Sequence, residues 1–145
     1  MNTGLSSSEL VAKAENILET AKAEEKKLRE DPKKPKVRFW EQTSQLRNLV
    51  QIAQTESEVP VLRNFIHYQM GRRSTKDFWV LIGTGVIKVL EDIDAEASKV
   101  ENVEEARKRA IQSFFGYLVR HYVYVNETQK PRDHRSEDDQ AGRRS

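Results

Sequence analysis

"FWVLIGTGVIKVL", residues 78–90, decides the fold. It is the most apolar stretch of the chain. Phe78, Ile82, Gly85, Val86 and Val89 recur at three- and four-residue steps, and Ile93 and Ala97 continue the series. That step is the period of an α-helix with one face turned inward. A helix this apolar belongs at the centre of a bundle. The Gly83-Thr84-Gly85 triplet invites a nucleotide-loop reading, which fails on its own terms. The third glycine of the G-x-G-x-x-G pattern would fall at residue 88, which is Lys88, and no strand precedes the triplet. Small residues within a buried helix instead admit a close neighbour.

Helical periodicity extends outward in both directions. Upstream, Ser74 is placed to cap the central helix, and Gly71 to end the preceding one in the left-handed conformation that glycine tolerates. That third helix has Leu62, Phe65, Ile66 and Met70 on its inner stripe, Pro60 in its first turn and Ser57 as its cap. A second helix is expected over 39–54 with Leu46, Leu49, Val50 and Ala53 inward. A first is expected over 8–29, with Leu10, Ala14, Ile17, Leu18, Ala21 and Leu28 near one face and Ser7 or Ser8 as cap. "DPKKPK", 31–36, separates the two, because neither proline continues a helix. Downstream, Asn102 with Glu105 reads as a capping box for a last helix. Its stripe is Val103, Ala106, Ala110, Phe114, Tyr117, Leu118, His121 and Val125. The expectation is all-α: a compact bundle of about five helices over 1–125, followed by a disordered, charged polar tail over 126–145.

Composition narrows the function. The chain has 145 residues, fitting one domain, with 25 Lys and Arg against 23 Asp and Glu and a net charge of +2. It has no cysteine, so disulfides, thiolate metal sites and cysteine nucleophiles are excluded. No secretory leader is read at the start, and no window approaches the roughly 18 apolar residues of a membrane span. A cytoplasmic protein without membrane contact is expected. His67, His121 and His134 share no ligand partner at metal spacing, and the acids of "EDIDAE", 91–96, wind around a helix instead of converging. No nucleophile–base set or phosphate loop is visible. The chain reads as a non-enzyme without metal or cofactor.

What remains is where the charge lies. In "TSQLRNLVQIAQ", 43–54, Ser44, Arg47, Gln51 and Gln54 line the face opposite the apolar stripe. All of them donate hydrogen bonds and none is an acid, a composition suited to phosphate and sugar oxygens. "GRRSTK", 71–76, adds Arg72 and Arg73, whose guanidinium groups grip phosphate in a bidentate way, just ahead of a helix start. Arg120, beside Tyr122 and Tyr124, offers a cation with aromatic rings, suited to stacking on a base or to a subunit interface.

"TSQLRN" at 43–48, "YQMGRRST" at 68–75 and the aromatic-rich "FFGYLVRHY" at 114–122 together resemble the small subunit of type III-A CRISPR–Cas effector complexes, the Csm complexes. The resemblance spans residues 37–125. It implies a helical protein without an active site, whose copies stack head to tail facing the backbone and large subunits. Its basic surface would stabilise the duplex of guide RNA and target RNA. Carried over residue by residue, it implies RNA contacts at Gln45, Arg47, Arg72 and Arg73, with Lys76 and Arg120 beside them. The alternative is a helical adaptor that binds only protein, through helix one and the exposed aromatic residues of the last helix.

Overall fold

The computed structural model describes residues 5–34, 37, 39–40, 42–73 and 76–129. Five helices follow in order: α1 (Ser7–Glu30), α2 (Thr43–Ala53), α3 (Val59–Gly71), α4 (Lys76–Ala97) and α5 (Val103–Thr128). The all-α expectation holds. The polar-tail expectation concerns residues 126–145. Its first residues belong to α5, Asn126 being buried there, and 130–145 lie outside the described residues.

Long-range contacts give each helix its direction. Lys13 of α1 reaches Asp92 near the end of α4 at 3.4 Å, so these two run antiparallel. Arg63 of α3 meets Glu91 of α4 at 3.4 Å, and Met70 approaches Gly83, so α3 and α4 also oppose. Ala53 at the end of α2 accepts from Gln112 of α5 at 3.1 Å, whereas Gln42 before α2 donates to Tyr122 at 2.9 Å. His121 beside Glu19, and Lys22 bonded to Gln129, make α1 and α5 parallel neighbours. The chain therefore runs up, down, up, down, up, with α4 packed against α1, α3 and α5. The central position expected from the apolar run is occupied: Phe78, Trp79, Ile82, Val86, Leu90 and Ile93 are all buried. Each such side chain contributes about 1.5–3 kcal/mol when fully removed from water.

Helix ends differ from the sequence reading in informative ways. Ser6, not Ser7 or Ser8, caps α1. Its hydroxyl accepts from the Glu9 backbone N–H at 3.1 Å, while the Glu9 carboxylate accepts from the Ser6 N–H at 2.9 Å. The Ser6 backbone N–H, and after it the Ser6 hydroxyl, favour the ionised form and hold the Glu9 carboxyl below its ordinary value. Asn102 occupies the cap position of α5 but makes no side-chain cap bond. Glu58 replaces Ser57 before α3, also without a side-chain cap, although Pro60 does sit in the first turn. The carbonyl of Ser57 instead accepts from the Arg107 guanidinium at 2.8 Å. The Ser74 cap lies outside the described residues.

Gly71 is not the left-handed terminator expected. It is the last residue of α3, and the chain leaves through Arg72 at φ −78° and ψ 128°, an ordinary extended conformation. A Cβ added at Gly71 would meet nothing within 4 Å. Gly71→Ala is therefore expected to leave stability unchanged or raise it by up to about 1 kcal/mol. A left-handed glycine would instead make the substitution costly, and a urea titration separates the two.

Helix α2 is shorter than the expected 39–54. Phe39 and Trp40 precede it and are buried outside any helix. They form an aromatic cluster with the first turn of α4 and the end of α5. Phe39 stacks on Phe78 with ring centroids 5.2 Å apart and meets Tyr122 edge-on at 5.5 Å, while Trp40 lies over Tyr122 at 6.0 Å. Tyr122, a candidate for base stacking or a subunit interface in the sequence, is fully buried. Its hydroxyl donates to the Phe39 carbonyl and accepts from the Gln42 N–H. The long connection between α1 and α2 is thereby fastened where it enters α2.

Candidate nucleic-acid interface

The up-and-down order brings several helix ends to one end of the bundle. The start of α2, the end of α3, the start of α4 and the end of α5 all lie at the end of the bundle where the aromatic cluster sits. Trp79 in the first turns of α4 donates its indole N–H to the Gln45 carboxamide oxygen at 3.3 Å. That bond ties the first turn of α2 to the helix that follows the Arg72–Arg73 corner. Arg47 follows two residues after Gln45, about 200° round α2 from the side that meets Trp79.

Arg47, Arg72, Arg73 and Arg120 are all exposed. The other described arginines are engaged by carboxylates: Arg29 pairs with Glu25, Arg63 with Glu91, Arg107 with Asp94 at 3.3 Å, and Arg109 with Glu105 at 3.4 Å. Among the described residues, no carboxylate lies within 4.0 Å of the nitrogens of Arg47, Arg72, Arg73 or Arg120. Asp77, the obvious acidic neighbour of the corner, pairs with neither arginine. Instead the Arg72 guanidinium lies 5.9 Å from the centre of the Tyr68 ring, and that of Arg120 lies 5.7 Å from Tyr117. A cation over an aromatic face is attracted by the ring quadrupole. The donor face of α2 stands as expected: Ser44, Arg47, Gln51 and Gln54 are exposed.

Gln45 also has a structural contact. It is half-buried, and its oxygen is committed to Trp79, so it serves as a strut between α2 and α4. Arg120 belongs to α5, where its guanidinium lies over the Tyr117 ring. Lys76 is the first residue of α4. Ser74 and Thr75, whose amides would complete the helix start, lie outside the described residues.

Two features escape the sequence reading. Lys33 and Lys34 are exposed in the turn after α1, at the same end of the bundle. Asp31 organises that turn, its carboxylate accepting from the Lys33 N–H at 2.9 Å. In the sequence the stretch reads only as a helix stop, although its lysines are plain. The second feature is His121, which has no nameable partner in the sequence. Its Nε2 lies 3.0 Å from Glu19 and its Nδ1 3.8 Å from Glu15, both on α1. Among the described residues, no three His, Asp or Glu side chains form a metal-binding group, and no helix is long and apolar enough to cross a membrane. A cleft of about 460 Å³ opens at the opposite end, between the start of α1 and the first turns of α5. Glu101, Glu105 and Arg109 are its charged lining residues. Compared with family models, with curated proteins and with solved structures, the chain matches none.

Proposed function

We propose that the chain is a non-catalytic small subunit of a type III CRISPR RNA-guided effector complex. In that role it stacks with other copies of itself against the backbone and large subunits. It stabilises the duplex of guide RNA and target RNA in cytoplasmic antiviral defence. The single observation that supports this reading is that Arg47, Arg72 and Arg73 are exposed and none lies within 4.0 Å of a described carboxylate. Recognition of this kind needs only shape and charge, because base pairing reads the sequence. One copy supplies few phosphate contacts, so an isolated chain binds RNA weakly and a row of copies binds it well.

The test is retention of RNA over a salt series. Arg47→Ala and Arg73→Ala are each expected to weaken binding by about 1 kcal/mol, or about fivefold. Each is also expected to reduce the slope of log affinity against log salt by about 0.7–0.9, the share of a single phosphate. Neither substitution touches the core, so the denaturation midpoint stays put. Retention unchanged in both variants at physiological salt would leave the protein-only adaptor as the better reading. Co-purification with a multi-subunit particle containing a guide RNA tests the assembly directly.

A further inference from the structure

The most exposed large hydrophobic side chain of the described residues stands at the edge of the basic corner. Tyr68, in the last turn of α3, is 61% exposed, more than Val61, Val80 or Tyr124. Four residues on, at Arg72, the helix has just ended. The Arg72 backbone N–H still donates to the Tyr68 carbonyl at 2.9 Å, and its guanidinium lies 5.9 Å from the ring centre. An aromatic ring left this open in water is an unspent stacking surface. The Tyr117–Arg120 pair repeats the spacing of cation and ring, but Tyr117 is half-buried against the core and has less face to offer.

We propose that Tyr68, with Arg72 against its ring, is a stacking platform for one unpaired nucleobase of a single-stranded RNA. This rests on the RNA-binding reading above and adds a ligand class to it. The base lies on the open part of the ring. Arg72 contributes a second flat cationic group, and Arg73 is next in the chain for the adjoining phosphate. A base within a duplex has both faces covered by its neighbours and cannot use the ring. The platform therefore favours unpaired nucleotides, as at the end of a duplex or at a base turned out of one. Phosphate contacts do not discriminate in this way.

The experiment uses the full chain at low salt and two fluorescent probes with equal numbers of phosphates, a single-stranded oligoadenylate and an RNA duplex. Tyr68→Leu keeps an apolar side chain but removes the flat ring. It is expected to weaken single-strand binding about tenfold, within the range for one stacked base, with duplex binding and both salt slopes unchanged. Tyr68→Phe is expected to bind like the wild type. An abasic strand is expected to lose the same factor against the wild type and nothing further against Tyr68→Leu. If Tyr68→Leu binds both probes like the wild type while Arg47→Ala and Arg73→Ala still lower the salt slope, the platform is overturned and the phosphate-binding role survives. Equal losses on both probes also overturn it. A wild-type chain that holds neither probe at low salt overturns the platform, while RNA retention by the multi-subunit particle tests the phosphate-binding role separately. Tyr68 lies on the surface, so both variants are expected to fold, and a helical circular dichroism spectrum confirms it.

Discussion

Replacing Tyr122 with alanine is expected to destabilise the fold by about 4 kcal/mol, the middle of the range for deleting a buried aromatic side chain. Against a total stability of about 5–15 kcal/mol for a domain, that is a large part of the whole. The ring is fully buried and lies within 6.0 Å, centre to centre, of Phe39, Trp40 and Phe78. Its removal leaves a hole flanked by three aromatic rings that cannot all collapse into it. Its hydroxyl also holds the Phe39 carbonyl and the Gln42 N–H, the backbone groups that lead the chain into α2. Tyr122→Phe isolates that share. The ring stays, but two polar backbone groups lose their partner, and the expected cost is about 1–3 kcal/mol. Tyr124, two residues on and 54% exposed, is the control: Tyr124→Ala is expected to change stability by less than about 0.5 kcal/mol. Chemical denaturation of the three variants settles the order. A Tyr122→Phe variant as stable as the wild type would mean the hydroxyl does not fasten the connection.

The same residue shows where sequence reading stops. The helices are legible because apolar side chains return every three or four residues, and Phe114, Leu118 and Val125 of α5 sit inward as that step requires. Tyr122 lies on the same inward face, yet beside Tyr124 and Arg120 it reads equally well as a surface aromatic. Phe39 and Trp40 carry no period at all, since they lie outside a helix, and only the pocket made by α4 and α5 explains their burial. Caps depend on one residue of phase: Ser6 and Glu9 have the capping-box spacing, but three serines in a row blur which of them begins the helix. At the candidate interface, the exposed, acid-poor arginines are visible in composition. The partners of Gln45 and His121 are not, because Trp79 is 34 residues and Glu19 is 102 residues away in the chain. Long-range side-chain pairing of that kind leaves no local pattern.

Substituting Gly83 with valine is expected to cost about 3 kcal/mol, and the reason is a close approach at which the sequence only hints. A Cβ at Gly83 would stand 2.5 Å from the Met70 sulfur, 2.8 Å from its Cγ and 3.3 Å from a methyl of Ile66. The last turn of α3 thus lies directly on the backbone of α4, and a valine adds two further methyl groups to space already taken. Overpacking of this type costs about 1–3 kcal/mol and more where neighbours cannot move. Ile66 is fully buried and has nowhere to go. Alanine is a milder case. Met70 is half-buried and flexible, so it can swing aside, and the gain of up to about 1 kcal/mol from replacing a helical glycine offsets part of the strain. Gly83→Ala is expected near neutral, and more stable when its effect is measured in a Met70→Ala background. Gly116, where an added Cβ meets nothing within 4 Å, gives the unobstructed value: Gly116→Ala is expected to stabilise by about 0.5–1 kcal/mol. Because α3 ends at the Arg72–Arg73 corner, a helix pushed off Gly83 also displaces Tyr68 and the two arginines. Gly83→Val is therefore expected to lower RNA affinity as well as stability, whereas Gly116→Ala leaves affinity untouched. A Gly83→Val chain as stable as the wild type would mean that α3 and α4 do not meet at this glycine.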